Sequence, residues 1–111
     1  CDAAIEVSKY DLDCQLVNCA HANLITKSLE ILKSCIPDIG VYANSSIHSQ
    51  RDEKLDSYEN ISEVHYHHMV EITPGEYLNF VKKWISMGSK VIGGCCTTTP
   101  EHIRLINRLR Q

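Results

Sequence analysis

Three times along this chain a short apolar run is followed by a stretch of helical periodicity, and that alternation limits the fold more than any other feature. Residues 14–18, Cys14-Gln15-Leu16-Val17-Asn18, suit a buried strand ending at Cys19. Over residues 22–35, Ile25, Leu29 and Leu32 recur at helical spacing with Leu24 and Ile31 alongside, which predicts a helix of three to four turns. Pro37-Asp38 breaks it, and Ile39-Gly40-Val41-Tyr42-Ala43 reads as a second strand ending at Asn44. A polar stretch over residues 45–73 follows, with a short helix expected around residues 63–69. Its length is unusual for a plain connection in a compact domain and points to a functional segment. Thr73-Pro74-Gly75-Glu76 is a helix start: Thr73 caps, Pro74 suits the first helical position and Glu76 completes a capping box. Behind it Tyr77, Phe80, Val81 and Trp84 share one apolar face, Lys82 and Lys83 lie outside, and Gly88 ends the helix. Residues 89–92 form a third strand running into Gly93-Gly94-Cys95-Cys96. The last helix begins at Thr98 or Thr99, helped by Pro100 and Glu101, and turns Leu105, Ile106 and Leu109 inward.

Strand–helix alternation of this kind argues for parallel strands joined by right-handed crossovers. A (β/α)8 barrel of about 250 residues spends about 31 on each unit, so three units take about 94. The 111 residues accommodate three units plus, over residues 3–9, the end of a preceding helix. A free three-stranded parallel sheet is an unusual domain, because such sheets are normally covered on both faces and protected at their edges. The expected fold class is therefore α/β: the C-terminal portion, about three β/α units, of a (β/α)8 TIM barrel with parallel strands. Residues 1–111 would form one such part-domain, the barrel's N-terminal strands being absent from this chain. The opening Cys1-Asp2-Ala3-Ala4, with neither an initiator methionine nor a basic and apolar leader, agrees with a piece of something longer.

Eleven basic against fourteen acidic residues, a formal charge of −3, give no electrostatic case for nucleic acid or an anionic membrane. No apolar run approaches the roughly 20 residues needed to span a bilayer. The six cysteines, at 1, 14, 19, 35, 95 and 96, are too few and too irregular for a disulfide scaffold, and no C-x-x-C pair or zinc-finger spacing occurs. They read as reduced thiols in a cytoplasmic protein.

Each strand ends in a polar or soft residue: Asn18-Cys19, Asn44, and Cys95-Cys96. In a barrel these ends meet at the C-terminal face, where barrel active sites lie. Adjacent cysteines in a regular strand point to opposite faces. Both reach one ion only where the backbone leaves the pleat, a freedom that Gly93-Gly94 supplies. Three thiolates with one open position is the layout of a catalytic zinc site. The spacing alone allows, and more readily, a glycine-rich turn with two small buried thiols.

Val17-Asn18-Cys19, then Val41-Tyr42-Ala43-Asn44-Ser45, then Gly93-Gly94-Cys95-Cys96-Thr97-Thr98-Thr99-Pro100-Glu101-His102-Ile103 occur in that order. Together they resemble the C-terminal part of the homocysteine S-methyltransferase family over nearly the whole chain. The resemblance implies a (β/α)8 barrel that binds zinc (Zn2+) through Cys19, Cys95 and Cys96. It also implies zinc activation of the thiol of homocysteine, which accepts a methyl group to give methionine. In that reading the three cysteines serve catalysis through the metal and do not carry the methyl group. The donor is S-methylmethionine or a related sulfonium, with betaine or methylcobalamin as the other donors in question. Cys1, Cys14 and Cys35 match no family ligand and are left as structural residues. The chain departs from the family where Tyr-Pro-Asn-Ser-Gly is replaced by Tyr42-Ala43-Asn44-Ser45-Ser46, and where Thr97 stands at a position commonly glycine or arginine. The family's glycine-rich opening segment, which helps hold homocysteine, has no counterpart here.

Asn44, at a strand end on the expected active face, is a candidate for substrate binding, for supporting the ligands, or for plain turn capping. His65-Tyr66-His67-His68 reads as a solvated loop or lid before it reads as a metal cluster. His102 is expected to be a packing or capping histidine, and Tyr77 and Trp84 core residues. The partners are small molecules, homocysteine and a methyl donor, with no nucleic acid and no membrane; the oligomeric state is not encoded in this piece. The competing readings are a non-catalytic zinc-binding remnant of such an enzyme, and a metal-free α/β piece with redox-sensitive vicinal thiols.

Overall fold

The computed structural model describes residues 1–48 and 69–110. A short helix α1 (Asp2–Val7) leads into strand β1 (Gln15–His21), helix α2 (Ala22–Lys33) and strand β2 (Ile39–Asn44). A small ribbon follows, β3 (Ser46–His48) against β4 (Met69–Glu71), and then helix α3 (Pro74–Ser86), strand β5 (Val91–Gly94) and helix α4 (Pro100–Asn107) with a closing 3-10 turn at Arg108–Arg110. The three strand–helix units stand where the apolar periodicity put them. The long polar stretch differs: its two ends pair as the antiparallel β3–β4 ribbon, Ile47 opposite Val70. The helix expected around residues 63–69 and the cluster at His65, His67 and His68 fall outside the described residues, apart from Met69, which opens β4.

β1, β2 and β5 form a parallel sheet in that order, so each strand lies beside the one that precedes it in the β/α series. The register sets Val17 beside Val41 and Val41 beside Ile92 on one face, and Leu16, Gly40 and Val91 together on the other. α2 and α3 cover the Val41 face. Ile25 and Leu29 from α2, Ile39, Val41 and Ala43 from β2, and Tyr77, Val81 and Trp84 from α3 form one buried cluster. Each large side chain fully buried there contributes about 1.5–3 kcal/mol relative to exposure. On the opposite face Leu16 and Tyr42 stay about two-fifths exposed.

Two polar contacts fix the helices on the sheet. Trp84 Nε1–H donates to Thr26 Oγ1 at 2.9 Å, and the Thr26 hydroxyl donates to the Ala22 carbonyl at 2.9 Å, which pins α3 to α2. The Tyr77 hydroxyl lies 3.1 Å from the Ala43 carbonyl and 2.9 Å from that of Gly93, so α3 reaches the ends of both β2 and β5. Burial raises the Tyr77 pKa far above the usual phenol value, and the hydroxyl stays a donor.

Three expectations are corrected. Cys1 and Cys35 are joined in a disulfide, their Cα atoms 5.8 Å apart, so the six thiols are not all reduced. Spacing could not reveal this pair, because α1 must fold back against the end of α2 before the two sulfurs meet. Leu109 is 38% exposed and does not face inward; the helix gives way to the 3-10 turn at Arg108, which rotates it off the apolar stripe. The glycines before the vicinal cysteines also act differently from expectation, as the site shows. Among the described residues no helix is long and apolar enough to cross a membrane.

Candidate metal centre

The site is built from two irregularities at strand ends. In β1, Asn18 stands opposite Tyr42 and His21 opposite Asn44, so three steps on β1 match two on β2 and one extra residue is accommodated. Cys19 sits in that bulge with φ of 54°, a left-handed conformation that re-aims its side chain out of the regular alternation. At the other end, β5 stops at Gly94. Cys95 still donates its N–H to the Ala43 carbonyl at 2.8 Å, but Cys96 leaves the ladder and donates to the Asn44 side-chain oxygen at 3.0 Å. A four-residue turn over Cys95–Thr98 follows, closed by the Thr98 N–H and hydroxyl on the Cys95 carbonyl at 3.3 and 2.6 Å. Its third position, Thr97, has φ of 62°, the place where a type II turn favours glycine.

The chain leaves the pleat at Cys95-Cys96, in the turn that Thr97 and Thr98 complete, and not at Gly93-Gly94, which lie within β5 and neither of which has positive φ. The two glycines are needed for close approach. A Cβ on Gly93 would lie 2.5 Å from the Tyr42 ring, and one on Gly94 would lie 2.5 Å from Thr98 Oγ1 and 2.7 Å from its Cβ.

The consequence is a cluster. The sulfurs of Cys19, Cys95 and Cys96 lie within 4.8 Å of one another, and Cys19 Sγ and Cys96 Sγ are 3.7 Å apart. Two thiolates each about 2.3 Å from a tetrahedral zinc stand roughly 3.8 Å apart, so that spacing fits the edge of a zinc tetrahedron. Cys19 and Cys96 are exposed and Cys95 is half-buried, which leaves the cluster open to solvent on one side. No fourth histidine, cysteine or carboxylate joins the group among the described residues. Three soft donors with one position left for an incoming ligand suit zinc, and a thiol is a fitting fourth partner.

Asn44 is buried immediately behind the cluster, with its oxygen engaged by the Cys96 N–H. Next to it, Ser45 donates its own N–H to the Cys96 carbonyl at 3.1 Å. Ser45 Oγ lies 2.6 Å from His102 Nε2, and His102 Nδ1 accepts the Thr99 N–H at 3.0 Å. His102 is thus the buried capping histidine the sequence suggests, at the third position of α4 behind Thr99-Pro100. Sequence reasoning missed Ser45 and Thr97; only the departure from glycine at position 97 hinted at the second. Cys14 lies before β1, at the opposite end of the strand from Cys19. It lines a cavity of about 250 Å3 with Tyr10, Pro37 and Asp38. Burial, with the Asp38 carboxylate second, pushes its thiol pKa up.

The chain is similar to several plant enzymes. It is 43% identical over 37 residues to homocysteine S-methyltransferase 3 of Zea mays, a match covering 33% of this chain and 11% of that protein. With homocysteine S-methyltransferase 2 of Arabidopsis thaliana it shares 32% identity over 93 residues, covering 83% of this chain and 25% of the relative. Selenocysteine Se-methyltransferase of Brassica oleracea var. italica is 31% identical over 93 residues, covering 83% and 24%. The chain thus spans about a tenth to a quarter of the length of these relatives. The homocysteine S-methyltransferase family matches residues 1–109, nearly every residue of the chain including all three clustered cysteines, and the chain belongs to that family.

Proposed function

We propose that this chain supplies the thiolate end of a zinc-dependent homocysteine S-methyltransferase, with Cys19, Cys95 and Cys96 as the metal ligands. The observation that carries the reading is the convergence of three thiols from two strand ends, two of them 3.7 Å apart, with no fourth protein donor among the described residues. The consecutive order β1–β2–β5 supports a segment of a (β/α)8 barrel, whose C-terminal face is where such strand ends gather.

When bound, zinc supplies a Lewis acid that favours a substrate thiolate over the thiol at neutral pH. The residues of this chain do the rest. Cys19, Cys95 and Cys96 as thiolates would outweigh the charge of a dication held by them, and that excess would preserve the nucleophilicity of an incoming sulfur. Asn44 and Ser45 hold the Cys96 peptide from behind. In the overall reaction the homocysteine thiol gives up its proton to solvent, and its sulfur forms a bond to the methyl carbon of the donor. The old sulfur–methyl bond breaks, its electron pair staying on the donor sulfur. With S-methylmethionine or a related sulfonium the donor leaves as a neutral thioether. Betaine and methylcobalamin are the donors to be tested against it. With one lone pair of its oxygen engaged by the Cys96 N–H, Asn44 keeps its amide nitrogen as a donor for a substrate contact.

A second reading is a zinc-binding piece without turnover of its own. It is favoured by the sheet face around Leu16 and Tyr42, which no helix covers among the described residues. Native mass spectrometry under reducing conditions tests the metal. One zinc per chain, lost on Cys95→Ser and Cys96→Ser substitution, is expected, and a folded chain without zinc overturns both readings. Methionine formation from homocysteine and each donor then separates the enzyme from the inert module.

A further inference from the structure

We infer that His102, acting through Ser45, is a positioning residue that holds the Cys96 peptide in place for metal binding; this rests on the zinc reading proposed above. Cys96 is the ligand most in need of support, since it is exposed, off the sheet ladder and followed by the positive-φ Thr97. Both of its peptide groups are nevertheless tied to the end of β2, the N–H to Asn44 Oδ1 and the carbonyl to the Ser45 N–H.

Ser45 is itself fixed on three sides. Its carbonyl accepts the Ile72 N–H at 3.2 Å, its hydroxyl reaches the Ile72 carbonyl at 3.0 Å, and the same oxygen meets His102 Nε2 at 2.6 Å. The proton positions follow from the far side of the ring. Nδ1 accepts the Thr99 N–H, so Nε2 carries the ring proton and donates it to Ser45 Oγ, whose own proton goes to Ile72. Tyr77 packs edge-on against the ring with centroids 5.5 Å apart. Ser45 is 1% and His102 4% exposed, so this chain of bonds works out of reach of water. It runs from the first turn of α4 to the backbone of a metal ligand, which is the place for an outer-shell residue that sets ligand orientation.

The test compares zinc affinity, by chelator competition, in the wild-type chain and in Ser45→Ala, His102→Leu and His102→Gln. It is run at a temperature where circular dichroism shows the native helix content. Ser45→Ala keeps the backbone N–H and removes the hydroxyl's bonds to His102 and to the Ile72 carbonyl, whereas His102→Leu removes the first and leaves the second in place. An affinity lowered by about tenfold or more is expected for Ser45→Ala and His102→Leu. His102→Gln should recover most of it, because its amide can accept from Thr99 and donate to Ser45. The thiolate-to-cobalt charge-transfer band of the Co2+-loaded chain should change in Ser45→Ala and His102→Leu and return toward wild type in His102→Gln, which a purely structural role would not produce. Folded variants that bind zinc within about twofold of wild type overturn the inference alone. So does failure of both Ser45→Ala and His102→Leu to fold, since the pair would then hold the fold and not the ligand. A wild-type chain that binds no zinc overturns the zinc reading itself, and this inference with it.

Discussion

Cys19 and Cys96 stand 77 positions apart in the chain, yet their sulfurs are 3.7 Å apart at the ends of two strands that do not pair with each other. β2 lies between β1 and β5, so the approach depends on the bulge at Cys19 and on Cys96 turning off the ladder. A metal bound there joins the two outer strands across β2, and its binding free energy becomes folding free energy. Zinc at 100 times its dissociation constant should therefore stabilise the chain by about 2.7 kcal/mol, and chelation should remove that gain. Cys19→Ser or Cys96→Ser should abolish the shift, whereas Cys14→Ser, at the other end of β1, should keep it. Thermal unfolding with and without zinc reads all three, and a shift that survives Cys19→Ser would place the ion elsewhere.

Thr97 carries a β-branched side chain at φ of 62°, where such residues are seldom found. The left-handed conformation costs an L-residue roughly 1–2 kcal/mol, while glycine adopts it freely at some cost in unfolded-chain entropy. The local compensation among the described residues is the hydrogen bond from the Thr97 hydroxyl to the Cys96 carbonyl at 2.6 Å, and it is exposed. Thr97→Gly should therefore raise stability by about 1 kcal/mol in denaturant titration with little change in slope. A loss of stability would mean that the hydroxyl contact outweighs the strain.

Gly94→Ala should act in the opposite direction. The added methyl meets Thr98 at its Oγ1, Cγ2 and Cβ, all at 2.5–2.7 Å, and the Cβ cannot swing aside as a chain terminus can. Thr98 closes the turn on the Cys95 carbonyl, so displacing it opens the loop that carries both vicinal ligands. A cost of about 1–3 kcal/mol is expected, as for overpacking elsewhere, together with weaker zinc binding. Unchanged stability and affinity would show that the turn yields without disturbing the thiols.

The alternation of strands and helices was legible because each helix hides one stripe, such as Tyr77, Val81 and Trp84, and each strand a short apolar run. The Thr73–Glu76 capping box was equally plain, since its signal is local. The three candidate ligands followed from strand ends and family resemblance. What remained hidden depends on long-range placement. Asn44 and Ser45 take opposite ends of the Cys96 peptide only once β2 lies beside β5, and nothing around Ser45 in sequence announces His102 as its partner. Gly93-Gly94 in sequence suggests flexible dihedrals, a local explanation. The reason is the proximity of Tyr42 and Thr98, one of them on a neighbouring strand. Disulfide pairing of Cys1 with Cys35 likewise needs the fold before it can be seen.

Glu76 gives a pH dependence whose sign is fixed by its bonds. Its Oε2 accepts the Thr73 N–H at 2.7 Å and the Thr73 hydroxyl at 2.8 Å, and these two donors, the backbone one first, hold the carboxyl below the usual glutamate range. The folded state therefore prefers the ionised form more than the unfolded chain does. The stabilisation is complete above the ordinary glutamate pKa of about 4.3, and is lost as pH falls through the lowered folded value. Glu76→Gln keeps an oxygen that can accept the Thr73 N–H but removes the charge beside the first turn of α3. Its melting temperature should lie below that of wild type at neutral pH, and the gap should close as pH drops below about 4. A gap that stays constant from pH 7 to about 3 would mean that geometry, and not charge, supplies the cap.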